Sequence, residues 1–364
     1  MFLLIAWILT RHRVNRLALN LFLFFIFTQA VSLISWDVWG IGQGVVRLEQ
    51  YFVVGLFGVY IASLNLGQAQ TVIFWALGGA ITTQSLLAIA QFIKGSTLGF
   101  WILGERTFSI STPGIAKFDF RGQQFLRPYG TFPHPNVLAA FMVIIVLLLV
   151  WSHRQSRDSG IHTGFSILLA MLTTLITVSR TALVAGVFCS LVLLSKKWKL
   201  VFLIGVTILL PVFYTRFSSA FNFDALSLIR REEQSVVAFK LWLDYPLFGV
   251  GLNNFIPAAS DQLLSGPSRF LQPVHNIFLL SLAETGLIGL SGFLILIGFP
   301  VFMLFKLRTK NYELRTLLLV WGIIIFLGLF DHYFLTLPQG YRLLFLVWGI
   351  SLSSMHLFEK ERKN

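Results

Sequence analysis

Charge is scarce in this chain. Asp, Glu, Lys and Arg make up 12% of its 364 residues, where a soluble domain carries about 25%. Hydrophobic residues make up 56%, and the mean hydropathy is +0.79. An ordinary soluble domain does not have this composition. Cysteine is nearly missing. The single Cys189 sits in an apolar run, so an internal disulfide and a cysteine metal cluster are both ruled out. Strict alternation of polar and apolar residues is also lacking, which argues against a transmembrane barrel. No G-x-x-x-x-G-K-[ST] loop, H-E-x-x-H motif, Cys/His ligand spacing or D-x-D pair occurs. These gaps argue against an ATP-driven pump, a metalloprotease and a metal-dependent sugar-nucleotide transferase, though not against a transporter. Ionisable residues are few inside the apolar runs, so no proton-relay chain stands out. No repeat or low-complexity segment is evident.

Apolar runs recur along the whole length, each close to the ~20 residues that cross a bilayer as a helix. Backbone groups in lipid must pair internally, so the fold class is an all-α integral membrane protein, a single polytopic domain over 1–364. About ten transmembrane helices are read, near 17–36, 46–65, 70–94, 135–151, 164–179, 181–195, 199–214, 287–305, 316–331 and 342–357. Five short connections, Thr10–Arg16, Ser152–Thr163, Ser195–Lys199, Lys306–Arg315 and Glu359–Asn364, hold 15 of the 28 Lys and Arg. The positive-inside rule makes them cytoplasmic, and strict alternation puts all five on one side. The opposite side receives two long extracytoplasmic loops, about 95–134 and 215–274. The net charge of +13 reads as loop charge facing the phospholipid bilayer, with no nucleic acid implied.

Two segments need a decision. Met1–Leu9 is apolar but about 14 Å long as a helix, too short to span. Its basic cluster follows the apolar run, unlike a signal peptide, so it reads as the tail of a truncated span or a misplaced start. Gly164–Ser195 would reach about 48 Å as one helix, too long for one crossing. Two short spans with a tight turn at Ser179-Arg180, on the extracytoplasmic surface, avoid burying the arginine in lipid.

Polar side chains on the outer side are few. Arg180 lies in the turn T-V-S-R-T-A. Arg230 and Arg231 begin L-I-R-R-E-E-Q-S-V-V-A-F-K-L-W-L-D-Y-P, whose spacing puts Val237, Leu241 and Trp242 on one face of an amphipathic helix lying on the membrane. His275 opens V-H-N-I-F-L-L-S-L-A-E-T-G-L-I-G-L. Each has a plain structural reading. Arginines snorkel to headgroups, Arg231 can pair with Glu232, Glu233 or another helix, and an interfacial histidine is commonly structural. His332, in F-D-H-Y-F, has an equal claim by composition, with Asp331 beside it. His134, before the helix-starting Pro135, reads as a cap.

Q-P-V-H-N-I-F-L-L-S-L-A-E-T-G-L-I-G-L resembles the signature of the O-antigen ligase and O-antigen polymerase family: His275, Asn276, nine residues, then Gly286 and Gly289. Tyr129–Ala140, Thr177–Gly186 and Asp244–Phe255 resemble further family segments in the family's order, with Arg231 as the upstream arginine. The resemblance covers roughly residues 110–305. It implies transfer of a glycan from an undecaprenyl diphosphate carrier to a glycan, lipid or protein acceptor, at the outer face of the bacterial inner membrane. The donor is already activated, so no cofactor and no metal are implied. Arg180 and Arg231, with Arg230 as substitute, are then expected to hold the diphosphate through bidentate contacts. His275 is expected to take the acceptor proton as general base. Asn276, Glu284, Gly286 and Gly289 are supporting residues. Glu284, nine positions after His275, points to the opposite side of an ideal helix and reads as a structural ion pair. Gly286 and Gly289 read as close-packing positions. The competing readings are a small-anion transporter, for example of bicarbonate, using the same arginines, and a non-catalytic assembly partner.

Overall fold

The computed structural model describes residues 13–35, 40–120, 122–153, 160–193, 225–260, 271–307 and 311–363, together with residues 199, 207 and 262. In chain order the first helices are α1 (Arg16–Val31), α2 (Gly42–Ser63), α3 (Leu66–Lys94), α4 (Pro135–His153), α5 (Ile161–Thr177) and α6 (Arg180–Leu193). Then follow α7 (Ala225–Asp244), α8 (Phe255–Ala259), α9 (Ile277–Leu307), α10 (Tyr312–Gly328), α11 (Tyr333–Thr336) and α12 (Pro338–Lys363). Among the described residues, five segments are long and apolar enough to cross a membrane: Arg16–Ser35, Gly42–Ser63, Ala69–Lys94, Pro135–His153 and Ile277–Leu307. α5 and α6 are shorter apolar helices. The expected tail Met1–Leu9, nearly all of the expected span 199–214, and parts of the connections and of the 215–274 loop lie outside the described residues.

The first long loop has some regular structure. It carries a hairpin of β1 (Lys117–Phe120) and β2 (Gln123–Leu126), antiparallel with Lys117 opposite Leu126. One expectation needs correction: the span 287–305 starts too late. α9 begins at Ile277, so the helix opened by His275 and the membrane helix are one, with most of the signature in its first part.

The chain divides into two compact units, one of Met1–Ala69 with Leu226–Asn364, the other of Gln70–Ala225. In the first, α12 packs on α2 and α9 on α1. Small residues set the closest approaches, as expected where lipid removes the hydrophobic drive between helices. Gly349 faces the Gly58 carbonyl, and Gly292 faces the Thr28 side chain. Cross-helix hydrogen bonds add to this. Trp321 Nε1 donates to Ser351 Oγ (2.9 Å), Trp348 Nε1 to the Leu296 carbonyl (3.0 Å) and Gln29 Nε2 to the Gly289 carbonyl (2.9 Å).

In the second unit α4 is the most buried helix and packs on α5 and α6. Pro135 starts it, where a missing N–H costs nothing. The first long loop is tied to α3 by two glutamines two turns apart. Gln84 accepts from the Thr131 amide (3.0 Å), while Gln91 accepts from those of Tyr129 (3.0 Å) and Gly130 (2.8 Å). Glu105 is buried and gathers the amides of Leu98 (2.7 Å), Gly99 (2.8 Å) and Phe100 (2.6 Å), plus Gln91 Nε2 (2.8 Å). Burial pushes its carboxyl up, but these donors outweigh it and hold the group below the usual carboxylate range.

Candidate active site

The expected turn in the second unit is present. α5 ends at Thr177, Val178 takes a left-handed conformation (φ 52°), and α6 begins at Arg180. Arg127 fixes the turn, its Nε donating to the Thr177 carbonyl (2.6 Å) and its Nη2 to Asn136 Oδ1 (2.6 Å). His134 caps α4 as expected, with Nδ1 accepting from the Asn136 amide (3.2 Å). The Arg180 side chain is exposed and makes no hydrogen bond among the described residues.

The other predicted groups lie in the first unit. α7 buries Gln234, Val237, Ala238 and Leu241, the i, i+3, i+4, i+7 stripe of an amphipathic helix. Trp242, expected on that face, is half-buried at its edge. Arg230 and Arg231 are half-buried one turn earlier. Arg231 does not pair with Glu232 or Glu233. Its Nη1 donates to the Phe330 carbonyl (3.3 Å), at the turn between α10 and α11.

His275 stands just before α9, and Asn276 is that helix's N-cap. Asn276 Oδ1 accepts from the amides of Phe278 (2.9 Å) and Leu279 (3.0 Å). His275 Nδ1 meets Gln234 Oε1 at 2.9 Å. Gln234 Nε2 donates to the Gln272 carbonyl (3.3 Å), which fixes the amide with its oxygen toward the imidazole. A carbonyl oxygen only accepts, so Nδ1 carries the hydrogen and Nε2 the lone pair.

His332 is a neighbour of His275, not an alternative to it. The two rings lie 5.2 Å apart at their centroids, at 70°. With Asp331 they form a group in which a ligand-type atom from each residue is within 4.8 Å of the others. Asp331 Oδ1 accepts from the His332 amide (2.8 Å), and His332 Nδ1 meets Thr336 Oγ1 (2.6 Å). Burial pushes the Asp331 carboxyl up, opposed by His332 and Arg231. It pushes the His332 imidazole down, opposed by Asp331. Arg47, a charge at the edge of an apolar run in the sequence, braces this turn from α2. It donates to the Thr336 carbonyl (2.8 Å) and to Asn253 Oδ1 (3.0 Å), with its guanidinium over the rings of Tyr51 and Tyr341 (5.9 and 5.8 Å).

Gly286 is not a packing glycine. It has φ 61° and ψ −165° and interrupts α9. The interruption frees backbone groups, which the Pro246–Val250 loop takes up. Leu287 N donates to the Pro246 carbonyl (2.9 Å), Ile288 N to that of Leu247 (3.2 Å), and Val250 N to that of Ala283 (3.0 Å). A Cβ at Gly286 would collide with the Leu247 carbonyl, and one at Gly249 with Glu284 backbone. The two signature segments are thus one backbone-to-backbone joint. Gly289 is hemmed in by its own helix's Thr285 side chain and offers its carbonyl to Gln29. Glu284 is buried, accepts from the Phe255 amide at the start of α8 (3.3 Å), and interacts electrostatically with Arg47 on α2, in line with the expected partner on another helix.

No curated protein matches the chain in sequence. Residues 165–294 match the family model described as O-antigen ligase. That stretch contains every predicted site residue from Arg180 to Gly289, so this multi-pass membrane protein is similar to the O-antigen ligase family over the segment that carries its candidate site.

Proposed function

We propose that the chain is an inverting, metal-independent glycosyltransferase. It moves a glycan from an undecaprenyl diphosphate carrier to an acceptor hydroxyl at the extracytoplasmic face. The match of residues 165–294 to the O-antigen ligase model supports the reaction class. The observation that carries the site assignment is the convergence of His275, Asp331, His332 and Arg231 within one compact unit.

The acceptor oxygen attacks the anomeric carbon while the bond from that carbon to the diphosphate oxygen breaks. A single displacement of this kind inverts the anomeric centre. The acceptor proton passes to Nε2 of His275, whose lone pair Gln234 sets there. Asp331 stabilises the imidazolium that forms, as a carboxylate beside a catalytic histidine does. The leaving diphosphate gains charge, and Arg231 offers it a planar fork of donors. Arg180 takes the same part on the strength of its T-V-S-R-T-A motif, with Arg230 as substitute for Arg231.

Purified protein given a lipid-linked oligosaccharide and candidate acceptors tests the reading. Transfer without added metal is expected, and uptake of bicarbonate into vesicles with no transfer would overturn it. The proposed topology puts 95–134 and 215–274 outside. Impermeant labelling of single cysteines at positions 158 and 261, in a Cys189→Ala background, checks this. Labelling at 158 and not at 261 in intact cells would reverse the orientation.

A further inference from the structure

His275, Asp331 and His332 are a two-imidazole, one-carboxylate set drawn from two distant segments, with one ligand-type atom from each within 4.8 Å of the others. Both rings are held as metal-ligating histidines are held, with one ring N–H directed to an acceptor. For His275 that acceptor is Gln234 Oε1 (2.9 Å). For His332 it is Thr336 Oγ1 (2.6 Å), because the threonine hydroxyl hydrogen is given to the His332 carbonyl (3.1 Å). Both lone pairs are therefore on Nε2. Asp331 Oδ1 is occupied by the His332 amide (2.8 Å), which orients the carboxylate and leaves Oδ2 as the ligand oxygen.

Two nitrogens and one oxygen suit Zn²⁺ or Co²⁺, whereas Mg²⁺ and Ca²⁺ prefer oxygen sets. A zinc ion sits about 2.0–2.2 Å from such ligands, so modest side-chain rotation closes the group around it. Arg231 stands close by, bonded to the Phe330 carbonyl at 3.3 Å. Its positive charge opposes a cation. With three ligands instead of four, this makes the site weaker than a structural zinc site and its occupancy reversible.

We propose that His275, Asp331 and His332 form a reversible, inhibitory site for a zinc-class divalent cation. The inhibition rests on the role given to His275 above: a cation on Nε2 occupies the lone pair that would take the acceptor proton. The protein then senses free zinc at its reaction centre, and transfer falls as zinc rises.

The test uses full-length protein in detergent at neutral pH. Co²⁺ is titrated alone, and the visible absorption of coordinated cobalt is followed. Saturable bands at micromolar Co²⁺, erased by Zn²⁺ and untouched by millimolar Mg²⁺, are expected. Gln234→Leu, which removes the hydrogen bond to His275 together with that to the Gln272 carbonyl but no metal ligand, should weaken Co²⁺ about 10–100-fold, and His332→Ala by at least as much. On wild-type protein, Zn²⁺ should protect His275 from diethyl pyrocarbonate, read by peptide mass, so the result does not depend on any variant folding. Absence of bands at millimolar Co²⁺, or bands unchanged in His332→Ala together with an unprotected His275, would overturn the site. If bands are absent while His275→Ala still abolishes transfer, the cation site falls and the transferase reading stands. If bands appear with the expected ligand dependence but wild-type transfer ignores Zn²⁺, the site stands and the inhibitory claim falls.

Discussion

Two short turns between apolar helices carry charge in this protein, and they are built in opposite ways. At Val178–Ser179, between α5 and α6, the backbone is tied down by Arg127, while Arg180 is left exposed. The buried Ser179 Oγ has no partner among the described residues. At Leu329–His332, between α10 and α11, the charge is turned inward. Asp331, His332 and His275 meet there, and Arg231, Arg47, Thr336 and Gln234 hold the turn and its rings. One turn points its cation outward; the other gathers its charged groups into a hydrogen-bonded cluster. A fixed geometry is what proton transfer needs, since a misplaced base loses orders of magnitude.

The largest effect should therefore come from the assembled turn. His275→Ala is expected to lower turnover by about 10²–10⁴-fold at neutral pH, the usual worth of a general base, with lipid-linked donor still bound. Asp331→Asn keeps the shape but removes the charge and should fall in the lower part of that range. Turnover measured with purified variants decides it. Near-normal His275→Ala beside an inactive His332→Ala would give the role of base to His332.

The arginines sharpen the contrast. Arg→Lys keeps charge but not the planar fork. Losing one charge-assisted contact costs roughly 1.5–3 kcal/mol, about ten- to a hundredfold in affinity. Arg231→Lys and Arg180→Lys should both weaken binding of undecaprenyl diphosphate by that order. If both lysine variants bind and turn over like wild type, the two arginines are membrane anchors, because lysine snorkels equally well.

Next comes the joint that carries the assembled site. Gly286→Ala puts a side chain at φ 61° against the Leu247 carbonyl. Left-handed or otherwise sparse backbone costs a non-glycine residue about 1–3 kcal/mol, before any clash is counted. The expected outcome is a lowered unfolding temperature in detergent. Gly289→Ala should also destabilise, because its Cβ would meet the Thr285 Cβ, which no side-chain rotation moves. Wild-type stability of both variants would mean that the break in α9 is not rigid.

Much of this was legible in the sequence, for reasons that differ by residue. The turn at Val178–Ser179 followed from length alone, since 32 apolar residues cannot cross once. The amphipathic α7 followed from periodicity. Gly286 was visible but misread, because Gly-x-x-Gly fits close helix packing as well as a break. Its real partner, the Pro246–Val250 loop, is set by backbone hydrogen bonds some forty positions away. Gln234 left almost no signal beyond one polar residue on an otherwise apolar stripe. His332 was weighed as a rival of His275 because nothing in a linear pattern tells which helix ends meet. Arg47 was hidden at the edge of a span, where a charge reads as snorkelling.

The smallest expected effect tests whether the second unit has a pre-assembled polar centre of its own. Glu105 is buried beneath three amides and Gln91, and these donors hold its carboxyl below the usual carboxylate range. A depressed folded-state pKa means the folded loop prefers the carboxylate. The stabilisation is complete above about 4.5, the unfolded value. It is lost as pH falls below that value and through the folded one. Amide exchange at Leu98, Gly99 and Phe100, corrected for intrinsic rates, should accelerate over that acid window in the wild type. Glu105→Gln cannot titrate and offers one acceptor oxygen where the carboxylate offers two. It should exchange faster at pH 7 and show little further change on acidification. Matching pH profiles in wild type and Glu105→Gln would mean that this carboxylate does not hold the loop, and that Gln84 and Gln91 alone tie it to α3.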